Sequence, residues 1–106
     1  MRVVFDQGTP VPLRNHLSAH QVSTAYELGW GSLENGELLK QAESAGYEVL
    51  VTTDQNLKYQ QNLANRKIAI VVLDATSWPR IQKVLPSVIA AISNIKANGY
   101  VQVSVP

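Results

Sequence analysis

At 106 residues, 45% of them hydrophobic and 16% charged, the chain is long enough to bury one core, and it reads as a single domain over residues 1–106. It has no cysteine, which excludes a disulfide frame, a thiolate zinc site and a cysteine nucleophile. The net charge is +1, no apolar run approaches the roughly 20 residues of a membrane span, and no signal-peptide layout opens the sequence. A cytoplasmic protein with no membrane segment is the default expectation.

In chain order, Arg2-Val3-Val4-Phe5 is a short β-branched run that predicts a strand ending at Asp6. Thr9 is expected to cap a short helix whose first turn accepts Pro10 and Pro12, because first-turn amides have no helical acceptor. His20 to Thr24 predicts a second, more polar strand near an edge. Between Ala25 and Leu33, Gly29-Trp30-Gly31 interrupts any helix and predicts a turn that carries Trp30 to the surface or over a pocket. Asn35 reads as the N-cap of a helix with an apolar stripe of Leu38, Leu39, Ala42 and Ala45, ended by Gly46.

A third strand is predicted from about Glu48 to Thr53. Asp54 or Asn56 then caps a short polar helix over 57–63, and a fourth strand follows from about Lys67 to Leu73. Pro79 opens a longer helix with Ile81, Leu85, Val88, Ile89 and Ile92 on one face, and Pro86 predicts a break just before itself. Asn98-Gly99 is a turn, and Tyr100 to Val105 alternates with period two, which predicts a strand that pairs at an edge or covers a face.

Strands and helices therefore alternate. The expectation is an α/β fold, a three-layer α/β/α sandwich with a mainly parallel central sheet. Asp6, Asp54 and Asp74 each follow an apolar run, so all three belong at the carboxyl ends of parallel strands, where open α/β sheets bind ligands. Glu37 lies in the first turn of its helix, where the helix dipole favours a carboxylate. Asp6, Glu37 and Asp54 are the leading catalytic and metal-binding candidates. Carboxylates gathered on one edge repel unless a cation joins them, and Mg²⁺ or Mn²⁺ prefers such oxygen ligands. Each also has a plain structural role open to it: Asp54 as an N-cap, Glu37 as a surface residue, Asp6 as a turn residue.

The pieces Val3-Val4-Phe5-Asp6, Asn35-Gly36-Glu37-Leu38-Leu39 and Val51-Thr52-Thr53-Asp54, in that order, resemble the short bacterial PIN-like domains of unknown function, relatives of the toxin ribonucleases of toxin–antitoxin pairs. The resemblance covers roughly residues 1–73. It implies an Mg²⁺- or Mn²⁺-dependent endoribonuclease that hydrolyses single-stranded RNA, held by an antitoxin-like protein partner. It also offers Asp74 as a fourth metal-binding acid, although Asp74 could equally start a turn. Three positions depart from the pattern: Gln7, Asn35 and Asn56 stand where relatives often carry acids.

Lys58, Gln61 and Asn62 share one face of the polar helix and are candidates for nucleic-acid contact, beside the alternative of a solvated face. Residues 1–57 carry Arg2, Arg14 and Lys40 against seven acids, whereas residues 58–106 carry six Lys and Arg against Asp74. An acidic site beside a basic surface suits an enzyme acting on a polyanion. His16 and His20 lack further zinc ligands, and no hydroxyl has a His–Asp partner in the pattern. The competing readings are a catalytically silent PIN-like module that binds a protein or nucleic acid, and a receiver-like signalling domain. The receiver is disfavoured because Asp6 is followed by Gln7 and not by a second acid. The apolar last helix and the Val101-Val103-Val105 strand leave a homodimer open.

Overall fold

Short runs rich in β-branched residues become strands here because such side chains fill both faces of a covered sheet. In the computed structural model, which describes residues 1–57 and 66–106, the strands are β1 (Arg2–Phe5), β2 (Gln21–Thr24), β3 (Val49–Thr52), β4 (Ala69–Leu73) and β5 (Tyr100–Val103). They form one sheet in the order β2-β1-β3-β4-β5, and every pair is parallel. The polar strand β2 and the alternating strand β5 take the two edges. The chain leaves β1 for β2 on one side, then crosses to β3 on the other. That reversal makes β1/β3 the switch point of a doubly wound sheet, where the connections diverge and leave a crevice beyond the carboxyl ends.

Alternation along the strands sorts the core into two halves. Val3, Phe5, Val49, Val51, Val71 and Leu73 face a layer built from a 3₁₀ helix (Val11–His16), helix α2 (Trp78–Gln82) and helix α3 (Leu85–Asn94). Leu13, Ile81, Val88 and Ile92 are the side chains that layer buries. On the opposite face Val4, Leu50, Ile70 and Val72 meet Leu38, Leu39 and Ala42 of helix α1 (Asn35–Ser44), together with Tyr47 and Leu57. Helices thus cover both faces, as a three-layer arrangement requires. Val103 and Val105 pack into the first half of this core, and Val101 is the more exposed member of that apolar set. No helix among the described residues is long and apolar enough to cross a membrane.

Several local expectations change. Thr9 does not cap the first helical segment; Pro10 holds that position, and the segment is a 3₁₀ helix. Thr9 is buried, and its hydroxyl turns back to the sheet instead, 2.9 Å from the Val51 carbonyl oxygen. The cap of α1 is Glu34, so Asn35 lies one residue inside the helix with its side chain free to reach sideways. The break expected just before Pro86 is present: the segment is two helices parted at Lys83 and Val84, with Pro86 in the first turn of α3 where its missing N–H costs nothing. Ser77 caps α2 by accepting from the Arg80 N–H.

The end of α1 is tied to the sheet by charge. Gly46 takes φ +85°, a left-handed turn that favours glycine. The Arg2 guanidinium donates to the Ala45 carbonyl at 2.6 Å and lies 4.3 Å over the Tyr47 ring. Glu43 accepts from the backbone N–H groups of Lys67 and Ile68, which orders the approach to β4.

Candidate functional site

The register of β1 on β3 pairs Phe5 with Val51, so the next residues, Asp6 and Thr52, meet at the carboxyl edge. Thr52 is buried, and its hydroxyl donates to Asp6 Oδ2. The other oxygen, Asp6 Oδ1, accepts from the Thr9 N–H at 3.1 Å and lies 2.8 Å from the Thr9 hydroxyl. The same Thr52 hydroxyl accepts from the Asp54 N–H at 3.1 Å, so one side chain links both aspartates. Asp54 Oδ1 accepts from the Asn56 N–H at 2.9 Å, and Asp54 Oδ2 accepts from the Asn35 side-chain amide. A single chain of hydrogen bonds thus runs from Thr9 through Asp6, Thr52 and Asp54 to Asn35, across the switch point.

This donor set is oxygen and amide only, with both carboxylates half-buried. It fits a hard divalent cation, since Mg²⁺ is usually held by one or two carboxylates with waters and substrate phosphates completing the shell. Of the four acids expected here, the fold brings two into one network. Glu37, in the first turn of α1, is exposed, and its carboxylate forms no hydrogen bond or ion pair among the described residues. Asp74 does stand at the carboxyl end of β4, but its Oδ1 accepts from the Val105 N–H at 2.6 Å and holds the chain beyond β5. Among the described residues no three Asp, Glu or His side chains are grouped as a ready metal site. Lys58, Gln61 and Asn62 lie outside the described residues.

Beside Asp6 a pocket of about 180 Å³ opens at the same edge, lined by Gln7, Trp30, Gly31, Leu33 and Asn35 among others. Its wall is the segment between β2 and α1, where the turn expected at Gly29-Trp30-Gly31 carries Trp30 over the pocket. A local signal for that segment was present: Thr24-x-x-Glu27 forms a reciprocal capping box. The Glu27 N–H donates to the Thr24 hydroxyl at 3.1 Å, and the Thr24 N–H donates to the Glu27 carboxylate at 3.0 Å. Arg14 adds an ion pair to Glu27 at 2.6 Å. Trp30 is set by its N–H bond to the Ala25 carbonyl at 2.8 Å and by an edge-on contact with Tyr47 at 5.9 Å.

The Thr24 N–H, then the Arg14 guanidinium, then the Thr24 side chain hold the Glu27 carboxyl below its ordinary value of about 4.5. A lowered carboxylate stabilises the fold fully above its unfolded value, and that contribution is lost as pH falls through the folded value. Glu27→Gln is therefore expected to be less stable than wild type at pH 7, with the gap closing at pH 3. Urea unfolding at the two pH values checks the sign.

Of the basic second half, Arg66, Lys67 and Lys96 do not stand at this edge, whereas Arg80 lies beyond β4 and donates to the Val105 and Pro106 carbonyls. Arg66 pairs with Glu43 at 3.8 Å, and Lys67 and Lys96 stand at the amino-terminal ends of β4 and β5, around a separate pocket of about 300 Å³ that also includes Glu43 and Glu48. Sequence halves are not spatial halves in a sheet whose strands all run the same way. Comparison of the chain with protein-family models, with curated proteins and with solved structures finds no match in any of the three.

Proposed function

We propose that this chain is a PIN-like, metal-dependent ribonuclease, a toxin-type domain that hydrolyses phosphodiester bonds of single-stranded RNA and is held in check by an antitoxin-like protein. The observation that carries this reading is the linkage of Asp6 and Asp54 through Thr52 at the switch point of the sheet. Asp6 and Asp54 would hold one Mg²⁺ or Mn²⁺. Bound there, the cation would supply an activated water and charge stabilisation at the phosphate. The protein's own part is positional. Thr52 and Thr9 fix the Asp6 carboxylate, and the Asn56 N–H fixes Asp54. Glu37 remains the candidate for a third, outer acid on the exposed turn of α1.

One observation favours a second reading. The Asn35 amide occupies Asp54 Oδ2, and Gln7 follows Asp6, so neutral amides surround the pair where PIN relatives often have acids. A catalytically silent module that binds a protein or nucleic acid would keep such an arrangement. Purified protein incubated with varied RNAs in Mg²⁺, in Mn²⁺ and in chelator separates the two. Cleavage that requires either metal supports the ribonuclease. Intact RNA in all conditions, with a partner protein recovered from cells, supports the silent module.

A further inference from the structure

The segment between β2 and α1 has features that metal chemistry does not use. Trp30 lines the pocket beside Asp6, half-buried, with Gly31 next to it. Tyr26 is 79% exposed, the most exposed large apolar side chain among the described residues, and its Cα lies 3.8 Å from where a Gly31 Cβ would stand. The side chain of Gln7 lies against Gly31, and its amide has no hydrogen-bond partner among the described residues. Asn35, which also lines the pocket, donates its amide N–H to Asp54 and keeps its side-chain oxygen as an acceptor. The capping box and the Arg14 ion pair fix this segment against the 3₁₀ helix, so the pocket wall is held in place before any ligand arrives.

From this we infer that the pocket formed by Gln7, Trp30, Gly31 and Asn35, with the exposed Tyr26 following the lining residue Ala25, binds one unstacked nucleobase of a single-stranded substrate. An aromatic face offers sequence-tolerant stacking, and primary amides present a donor and an acceptor side by side, as base edges do. The pocket is too small for a folded partner and adjoins Asp6, so a base held in it would bring its own backbone phosphate to the acid pair. This deepens the ribonuclease reading and rests on it for the identity of the polymer, while the base pocket is measured without cleavage.

Trp78→Phe leaves Trp30 as the sole tryptophan, because the chain has two. In that background, with chelator present, Trp30 emission is followed while AMP, GMP, CMP, UMP or ribose 5-phosphate is added. The expected result is saturable quenching by nucleotides and none by ribose 5-phosphate. Tyr26→Ala and Gln7→Ala should each weaken binding by about tenfold, the scale of one stacking or base-edge contact. Gly31→Ala gives an independent check. Its Cβ would come 2.5 Å from Gln7 Nε2, so the flexible amide must move while the backbone need not, and nucleotide affinity should fall with the melting temperature unchanged.

Equal quenching by ribose 5-phosphate, no response to any nucleotide, or full affinity in Gln7→Ala would overturn the inference. Loss of the nucleotide response together with a protein partner that shields Trp30 would also overturn it and assign the segment to a protein interface. Nucleotide binding without any RNA cleavage would uphold the pocket and remove the ribonuclease reading. Metal-dependent cleavage without nucleotide binding would do the reverse.

Discussion

Asp54→Asn is expected to abolish metal-dependent RNA cleavage while leaving the thermal melt close to that of wild type. The geometry makes this substitution unusually clean. Asparagine keeps an oxygen for the Asn56 N–H, now 2.9 Å from Asp54 Oδ1. Its new amide would face the Asn35 amide, and Asn35 answers by turning over to present its own oxygen. The hydrogen-bond count is kept, and only the charge that binds a cation is lost. Changes to groups that merely support metal ligands cost about 10- to 100-fold, so loss of a ligand charge should cost at least the upper end of that range. Cleavage in Mg²⁺ and Mn²⁺, with the melting curve measured on the same preparation, checks both halves. Asp6→Asn is a poorer probe. Both Asp6 oxygens accept from the protein, so an amide there would turn a donor against the Thr9 N–H or the Thr52 hydroxyl.

Thr52→Val should be the larger effect on stability. The side chains are nearly the same size, so the packing around this buried position is preserved. What disappears is a buried hydroxyl that donates to Asp6 and accepts from the Asp54 N–H. A buried group left without its partner costs about 1–3 kcal/mol. For a domain of this size each kcal/mol moves the melting temperature by roughly 4–8 °C. A fall on the order of 10 °C is expected, with weaker Mn²⁺ binding because both acids lose their common brace. Thr52→Ser keeps the hydroxyl and should recover most of the metal affinity. If Val and Ser bind Mn²⁺ alike, Thr52 is a packing residue and not the link between the acids.

The sheet was legible because its signal is local. Val3-Val4-Phe5, Val49-Leu50-Val51 and the run into Leu73 are β-branched and apolar on both parities, which a strand covered on both faces requires. The placement of Asp6 and Asp54 on neighbouring strands followed from that alternation. Their connection through Thr52 did not, since it depends on the register of β1 against β3, and many registers satisfy the same apolar pattern. Asn35 shows a related limit. Residues at the start of a helix differ little in local signal, and one position decides whether the side chain caps its own helix or reaches Asp54. The capping box at Thr24 and Glu27 was readable at i and i+3 but was obscured by the glycines that follow it. Charge distribution misled for Arg66, Lys67 and Lys96, which precede strands at the edge opposite the acids.

The most direct measurement is a crystal soaked with Mn²⁺ and recorded at a wavelength where manganese scatters anomalously. An anomalous peak coordinated by the Asp6 and Asp54 carboxylates, with the Asn35 amide displaced from Asp54 Oδ2, is the expected result. A crystal in which Asn35 still closes on Asp54 and no manganese lies against either acid, at concentrations where wild-type protein cleaves RNA, would contradict it.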